Sequence, residues 1–343
     1  MNPIFQLWRR NSATVPALLL VLLVLAVLVA ALPAFAAAPA FVDPLDLPAQ
    51  ASPLASRSLI NGVAAAGTRL VAAGQRGHIL YSDDGGATWQ QARVPLSSDL
   101  VALSFADVRH GWAVGHDGVV LASADAGASW SRQYDGRQDP QVGDKPLLDV
   151  RFDGAGHGMA VGAFGLALCS DDSGGHWRHC EDLLDNPQGL HLNAIRAVGD
   201  SLYIVGEQGL VLRRAAGAAD SARFEAVAMP YKGSFFGVAG TANSVVLYGL
   251  RGNALVSSDA GRSWQHAVTG TQTGLTAGTA LADGTLLLAT QAGQLLRSRD
   301  GGATFKPLPG VKPGPAAAIL PAGGGSLLIG GARGLRLQPL DLH

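Results

Sequence analysis

Between residues 57 and 340, short apolar runs alternate with glycine-rich punctuation in a unit that returns seven times. Each unit holds an apolar run that ends in a Gly-x-x-Gly-like turn and is followed by a second short apolar run. The second glycines are Gly77, Gly118, Gly165, Gly209, Gly252, Gly293 and Gly334, so the steps are 41, 47, 44, 43, 41 and 41 residues. A period in the forties built from strand-length units predicts a repeat architecture, one four-stranded blade of a β-propeller per unit. In the first unit the alternation places an inner strand at 59–65, a second at 69–73, a third at 78–82 and an outer strand at 88–93. The other inner strands then fall near 100–106, 147–153, 192–198, 235–240, 275–282 and 315–320. Their small and branched residues suit the narrow centre of a ring. The expected fold is all-β, a seven-bladed propeller over 57–343. The last unit supplies only three strands, up to 335–340, and an open strand edge invites pairing. The segment 39–56, and within it 43–56, is therefore expected to add the missing outer strand and close the ring with N- and C-terminal strands.

After five of the seven turns comes one signature, Ser-x-Asp-x-Gly-x-Thr/Ser-Trp in its commonest form. It reads SDDGGATW at 82–89, SADAGASW at 123–130, SDDSGGHW at 170–177, SSDAGRSW at 257–264 and SRDGGATF at 298–305. This is the Asp-box, or bacterial neuraminidase repeat. Its aspartates are Asp84, Asp125, Asp172, Asp259 and Asp300, and its aromatic residues Trp89, Trp130, Trp177, Trp264 and Phe305. An Asp opening a glycine turn accepts backbone hydrogen bonds, and the ring packs beneath the hairpin. The expected role of all ten is structural. The fourth unit has RRAAGAADSARF at 213–224 instead, which predicts a longer, irregular turn.

The 343 residues carry 25 basic and 26 acidic side chains, and 48% are hydrophobic, enough for a large core. That balance gives no basic excess for nucleic acid. Residues 1–38 read as a secretory signal peptide, with Arg9 and Arg10, an apolar run at 17–32, and small-residue cleavage sites near Ala36 and Ala38. The same run is slightly short for an uncleaved membrane anchor. Export places the mature chain in the periplasm. The two cysteines, Cys169 and Cys180, bracket the third signature. In an oxidising compartment they can close a local disulfide, but register is not readable from sequence, so a pair of free thiols stays open. His176 and His179 nearby have no recognised metal-ligand spacing, and neither a metal nor a cofactor is expected.

Catalytic signatures are missing: no Gly-x-Ser-x-Gly elbow, no phosphate loop, no His-Glu-x-x-His. Sialidase chemistry needs three arginines on one carboxylate and a tyrosine nucleophile activated by a glutamate. Here the Arg-Ile-Pro segment is absent, Arg93-Val94-Pro95 follows its box, and Tyr231 with Glu225 is a Tyr/Glu pair close in sequence without an aspartate cluster beside it. The chain is therefore read as a non-enzyme, with a glycan-binding or sialidase-like Asp-box protein as the alternative. Function is expected on the face that carries the Gly-x-x-Gly turns and interblade loops, opposite the boxes. Arg76, Arg251 and Arg333 lie in turns of blades one, five and seven, and could form a basic sector or simply be solvated. His116 and Tyr231 complete the expected partner contacts, Tyr231 lying beside Phe235 and Phe236, which begin an inner strand.

The succession VAAGQRGHILYSDDGGATW, WAVGHDGVVLASADAGASW, MAVGAFGLALCSDDSGGHW, YIVGEQGLVL and YGLRGNALVSSDAGRSW resembles the photosystem II stability and assembly factor family of Asp-box propellers. The resemblance spans about 57–337. It implies a non-enzymatic protein of a lumenal or periplasmic space that binds a membrane-protein client and aids its assembly. The family's basic face corresponds to Arg76, Arg251 and Arg333. The chain departs from photosynthetic members, which carry a plastid transit peptide or a lipid-modified cysteine. It is similar instead to relatives in non-photosynthetic Gram-negative bacteria, where an inner-membrane complex would be the client.

Overall fold

Inner strands of blades one to six begin at Ile60, Leu100, Leu147, Leu192, Phe235 and Leu275, each fully buried. In the computed structural model, residues 41–215, 218–219, 221–311 and 314–341 are described, and the expected signal peptide at 1–38 lies outside them. The described residues from Asp43 onward form one compact unit, the propeller.

Blade one consists of Ile60–Ala66, Arg69–Gly74, Ile79–Ser82 and Gln90–Gln91, joined antiparallel in that order. The inner strands of the next six blades are Leu100–Phe105, Leu147–Phe152, Leu192–Val198, Phe235–Thr241, Leu275–Ala280 and Ala318–Gly323. Six sheets have four strands and the seventh has three. All seven units of the repeat therefore become blades.

The pairing register slips after the first residue of each inner strand in blades one to six. The bulge turns the next residue toward the central channel, a cavity of about 530 Å³ lined by Asn61, Val101, Leu148, Asn193, Phe236 and Thr276 among others. Where that residue is polar it stitches blades together. Asn61 donates to the Leu100 carbonyl at 2.8 Å, Asn193 to that of Phe235 at 2.8 Å and Thr276 to that of Ala316 at 2.6 Å. Between blades three and four, buried Asp149 accepts the Ile195 N–H at 2.8 Å and the Arg196 guanidinium.

The core lies between blades. Each of seven apolar clusters joins two neighbouring sheets, as face-to-face sheet packing requires. The last one, around Ile60, Ala72, Leu80, Trp89 and Leu335, seals blade seven to blade one.

Three expectations need correction. Residues 43–56 do not complete blade seven, which keeps three strands among the described residues. They run over blades one and two: Ala49 donates to the Val94 carbonyl, Ser52 to the Gln91 side chain, and Ser97 to the Pro44 carbonyl. Leu45 enters the core between those blades. Pro44, Pro48 and Pro53 deprive the segment of strand donors, so it bends into two short 3-10 turns instead. The outer strand of blade one is Gln90–Gln91 and not 88–93, because Arg93 leaves it to form a parallel bridge with Ser129 of the next blade. In blade seven the inner strand begins three residues later than 315. Pro315 has no N–H to give, and pairing starts with the Ala317 N–H on the Gly330 carbonyl at 2.8 Å.

Candidate partner-binding face

On the signature rim, the turn engages the box aspartates. Asp84 accepts from Ser82 Oγ at 2.7 Å, from the Thr88 N–H at 2.9 Å and from Thr88 Oγ1 at 2.5 Å, while Ser82 Oγ accepts the Gly86 N–H at 2.8 Å. Asp125 with Ser129, Asp172 with His176, Asp259 with Ser263 and Asp300 with Thr304 repeat the pattern. Hydrogen bonds to a carboxylate favour its charged form. Thr88 holds Asp84, and the Ser263 N–H and hydroxyl hold Asp259, far below the usual carboxylate range. His176 holds Asp172 near a pKa of about 2. Trp89 and Trp130 donate to the carbonyls of Gly86 and Gly127, whereas Trp177 and Trp264 keep buried indole N–H groups without a partner. Phe305 is buried without needing one.

The boxless fourth blade keeps one element of the plan. Phe224, fully buried, gives its N–H to the Leu183 carbonyl beside a parallel bridge, as Trp130 gives to Arg93 and Phe305 to Val268 elsewhere. Its ring packs at the end of RRAAGAADSARF, where a box would place tryptophan, and Arg214 lies over it at 4.5 Å. In blade three, Cys169 and Cys180 are bonded, with Cα atoms 5.9 Å apart, and clasp the outer strand Arg178–His179 to the third strand Ala167–Ser170.

The opposite face is built differently. In blade five, a Cβ on Gly249 would lie 2.1 Å from the Ser234 carbonyl oxygen, and one on Gly252 2.1 Å from that of Thr271. The glycines are there because the interblade loops cross directly over the turn. Between them, Arg251 holds φ at 56°, in the left-handed region that favours glycine. Arg76, Asp117, Phe164 and Gln208 do the same in other blades, with φ between 55° and 58°. Ala126, Ser173 and Ala260 in the signature turns hold φ between 59° and 61°, so this conformation belongs to the turns of both rims.

Some side chains of the Gly-x-x-Gly turns hold loops. Asp99 accepts the Arg76 N–H at 2.7 Å, Asp117 accepts from Ser98 Oγ, and Glu207 accepts the His191 N–H at 3.1 Å. Tyr231 is half-buried, with its hydroxyl donating to the Leu250 carbonyl at 3.1 Å and its ring edge-on to Phe235. Burial raises its phenol above the ordinary value, and Arg251 is near enough to oppose that. Phe235 begins the inner strand and is buried, while Phe236 lines the channel. Glu225 stands on the outer strand of blade four, opposite Arg213.

Arg76, Arg251, Arg333 and His116 are exposed, and the three arginines form no ion pair among the described residues. The structure adds three cations that turn spacing did not single out. Arg57 reaches this face because its Cα lies against Gly334, and Lys232 because its Cα lies against Gly209. Arg336 is held below its ordinary value by burial and then by the charge of Arg333. On the loops of blades two and three the charges are mutually satisfied. Arg137 bridges Asp46 at 2.8 Å and Asp135 at 3.2 Å, and His179 sits between Asp139 at 2.9 Å and Glu181 at 3.0 Å. Among the described residues no three His, Cys, Asp or Glu side chains gather as metal ligands, and no helix is long and apolar enough to cross a membrane.

A family profile described as photosynthesis system II assembly factor YCF48 matches residues 65–144 and 140–287. No curated protein matches the sequence. Among solved structures, YCF48 bound to D1 peptide is 20% identical, with a TM-score of 0.65 over 83% of this chain and 94% of that one. YCF48 from Cyanidioschyzon merolae is 19% identical, with a TM-score of 0.66 over 85% of this chain and 98% of that one. A GH74 xyloglucanase from Xanthomonas campestris is 15% identical, with a TM-score of 0.64 over 84% of this chain and 52% of that one. Likeness at these identities carries the propeller fold, and the profile, which covers well over half the chain, carries the kinship. The chain belongs to the photosynthesis system II assembly factor YCF48 family.

Proposed function

We propose that this protein is a non-enzymatic, exported propeller that binds a membrane-protein complex on its periplasmic side and aids its assembly or stability. The observation that carries the reading is the gathering on one face of five exposed cations, Arg57, Arg76, Lys232, Arg251 and Arg333, that form no ion pair among the described residues. A guanidinium free of internal partners is available to bond a client carboxylate through both its nitrogens. A solved YCF48 described as bound to D1 peptide supports peptide capture by a propeller of this family. Export rests on the segment at 1–38, and a plain signal peptide without a lipid-modified cysteine favours an inner-membrane complex outside photosynthesis as the client. The signature aspartates do not supply catalysis, because their oxygens are engaged in their own turns.

The test is affinity capture from detergent-solubilised membranes with the mature chain and with R76E/R251E/R333E. The expected result is one membrane complex retained by the unaltered chain, released as salt rises, and lost by the variant. Equal capture by both chains, or none by either, contradicts the assignment of this face.

A further inference from the structure

Six blades finish with an outer strand laid on the third, two residues long in blades one, three, four, five and six and four long in blade two. In blade seven the third strand is Gly334–Pro339, and no strand pairs outside it among the described residues. Alternate residues of an antiparallel strand turn their N–H and carbonyl groups away from the neighbour. Gly334 closes the hairpin on Gly331, and Leu340 donates inward to the Gly325 carbonyl at 2.8 Å, so Leu335, Leu337 and Pro339 are the outward residues. By its pairing to the second strand, Leu335 stands where blades one, three, four, five and six have Ile79, Ala167, Val211, Ala254 and Leu295. Each of those carbonyls accepts a backbone N–H from just after the outer strand, at 2.8 to 3.0 Å. The Leu335 carbonyl accepts none among the described residues, and Leu337 is 39% exposed.

We propose that this open edge is a strand-addition site that takes a short extended segment of the client, an apolar stretch followed by carboxylates. The inference rests on the client-binding reading and names the chemistry of the segment bound. The edge begins at the turn Gly331–Gly334, on the proposed client face, where Arg333 and Arg57 are exposed and the Arg57 Cα lies against Gly334. A strand added antiparallel runs toward that turn, so the residues C-terminal to it arrive at the two guanidiniums. Leu337 offers the strand itself an apolar cross-strand neighbour. Pro339 has no N–H to give, which limits the free donors to Leu335 and Leu337 and fits a ladder as short as the outer strands elsewhere. A second copy of this chain pairing here would set two edges with the same arginines, 333 and 336, side by side, which like charges disfavour. Residues 43–56 are already committed to blades one and two.

The probe is a fluorescein-labelled peptide, Thr-Val-Thr-Val-Gly-Asp-Glu with an amidated C-terminus, read by polarisation against the mature chain. A second probe is N-methylated at the four amides of its Thr-Val-Thr-Val stretch, which keeps charge and side chains and removes the strand donors. Saturable binding of the first is expected, weakened about tenfold or more by the N-methylation, by R57E/R333E and by Leu337→Pro, which removes an outward N–H. Leu337→Ala keeps that donor and should bind more tightly than Leu337→Pro, and thermal unfolding checks that each variant is folded. Equal binding of the two probes, or no saturable binding of the first, overturns the strand site. A dimer of the unaltered chain that Leu337→Pro disperses in sedimentation assigns the edge to a second copy and overturns the client as its occupant. In membrane capture, Leu337→Pro should lose the client. Capture kept by Leu337→Pro and lost by R76E/R251E/R333E overturns the edge alone, whereas peptide binding sensitive to N-methylation with no capture by any chain overturns the client reading while the strand site holds.

Discussion

Blade five carries an arginine on each rim, and the two live in opposite circumstances. Arg262, in the signature turn, gives its N–H to Asp259 at 3.0 Å and its Nε to the Asp259 carbonyl at 2.9 Å. Arg251, in the Gly-x-x-Gly turn, is exposed, holds a left-handed backbone and forms no side-chain hydrogen bond or ion pair among the described residues. The signature rim repeats its residues because a hydrogen-bonded hairpin fixes them. The other rim repeats only its glycines, which fix the backbone, and leaves the residues between them free to differ from blade to blade. Recurrence in this chain marks structure, and the residues that vary within the recurrent frame are the ones the proposed function uses.

That contrast can be broken most severely at the glycines. Gly252→Ala puts a Cβ 2.1 Å from the Thr271 carbonyl at a φ of 73°, and should cost about 3 kcal/mol in urea unfolding, with loss of the local loop arrangement. Next in size, removing the Cys169–Cys180 bond, which spans a separation of 11 residues, should cost about 2–3 kcal/mol, seen as a lower unfolding midpoint in C169S/C180S. On the signature rim, Asp125→Ala strands the Ser129 N–H and the hydroxyls of Ser123 and Ser129, and should cost about 1–2 kcal/mol without changing client capture. Arg76→Glu should do the reverse, shifting stability by no more than about 0.5 kcal/mol while weakening capture. A stability loss for Arg76→Glu as large as that for Asp125→Ala would erase the distinction between the rims.

The smallest effect is set by pH. Burial works against the charged form of His179, but Glu181 and Asp139 outweigh it and raise its pKa above the ordinary imidazole value of 6.5. Its contribution to stability is fully present below 6.5 and is lost as pH rises through the higher folded value. The difference in melting temperature between the unaltered chain and H179Q should therefore shrink from pH 5.5 to pH 8. A difference that grows over that interval contradicts the pairing.

Periodicity made the blades legible. Six inner strands lie within a residue or two of where the alternation puts them, because each starts at a large apolar residue that the blade interface buries. Contacts that join blades were not legible. The bonds from Asn61, Asn193 and Thr276 reach partners about forty residues on, and only these three of the channel positions carry the polar residue. The course of 43–56 follows its three prolines, which keep the segment out of a sheet although blade seven has an open edge. On the proposed client face, turn spacing singles out Arg76, Arg251 and Arg333, while Arg57, Lys232 and Arg336 lie outside the turns and reach it through loop and strand packing. Phe224 had a signal in the sequence, an aromatic residue ending a segment of box length, without the Ser-x-Asp opening that would have marked it.

The most direct test of the division between rims is site-specific photo-crosslinking in membranes, with the reactive residue placed at position 251 in one chain and at 262 in another. The account predicts a crosslinked membrane protein from 251 that disappears at high salt, and none from 262. A product from 262 alone, or equal products from both, would contradict it.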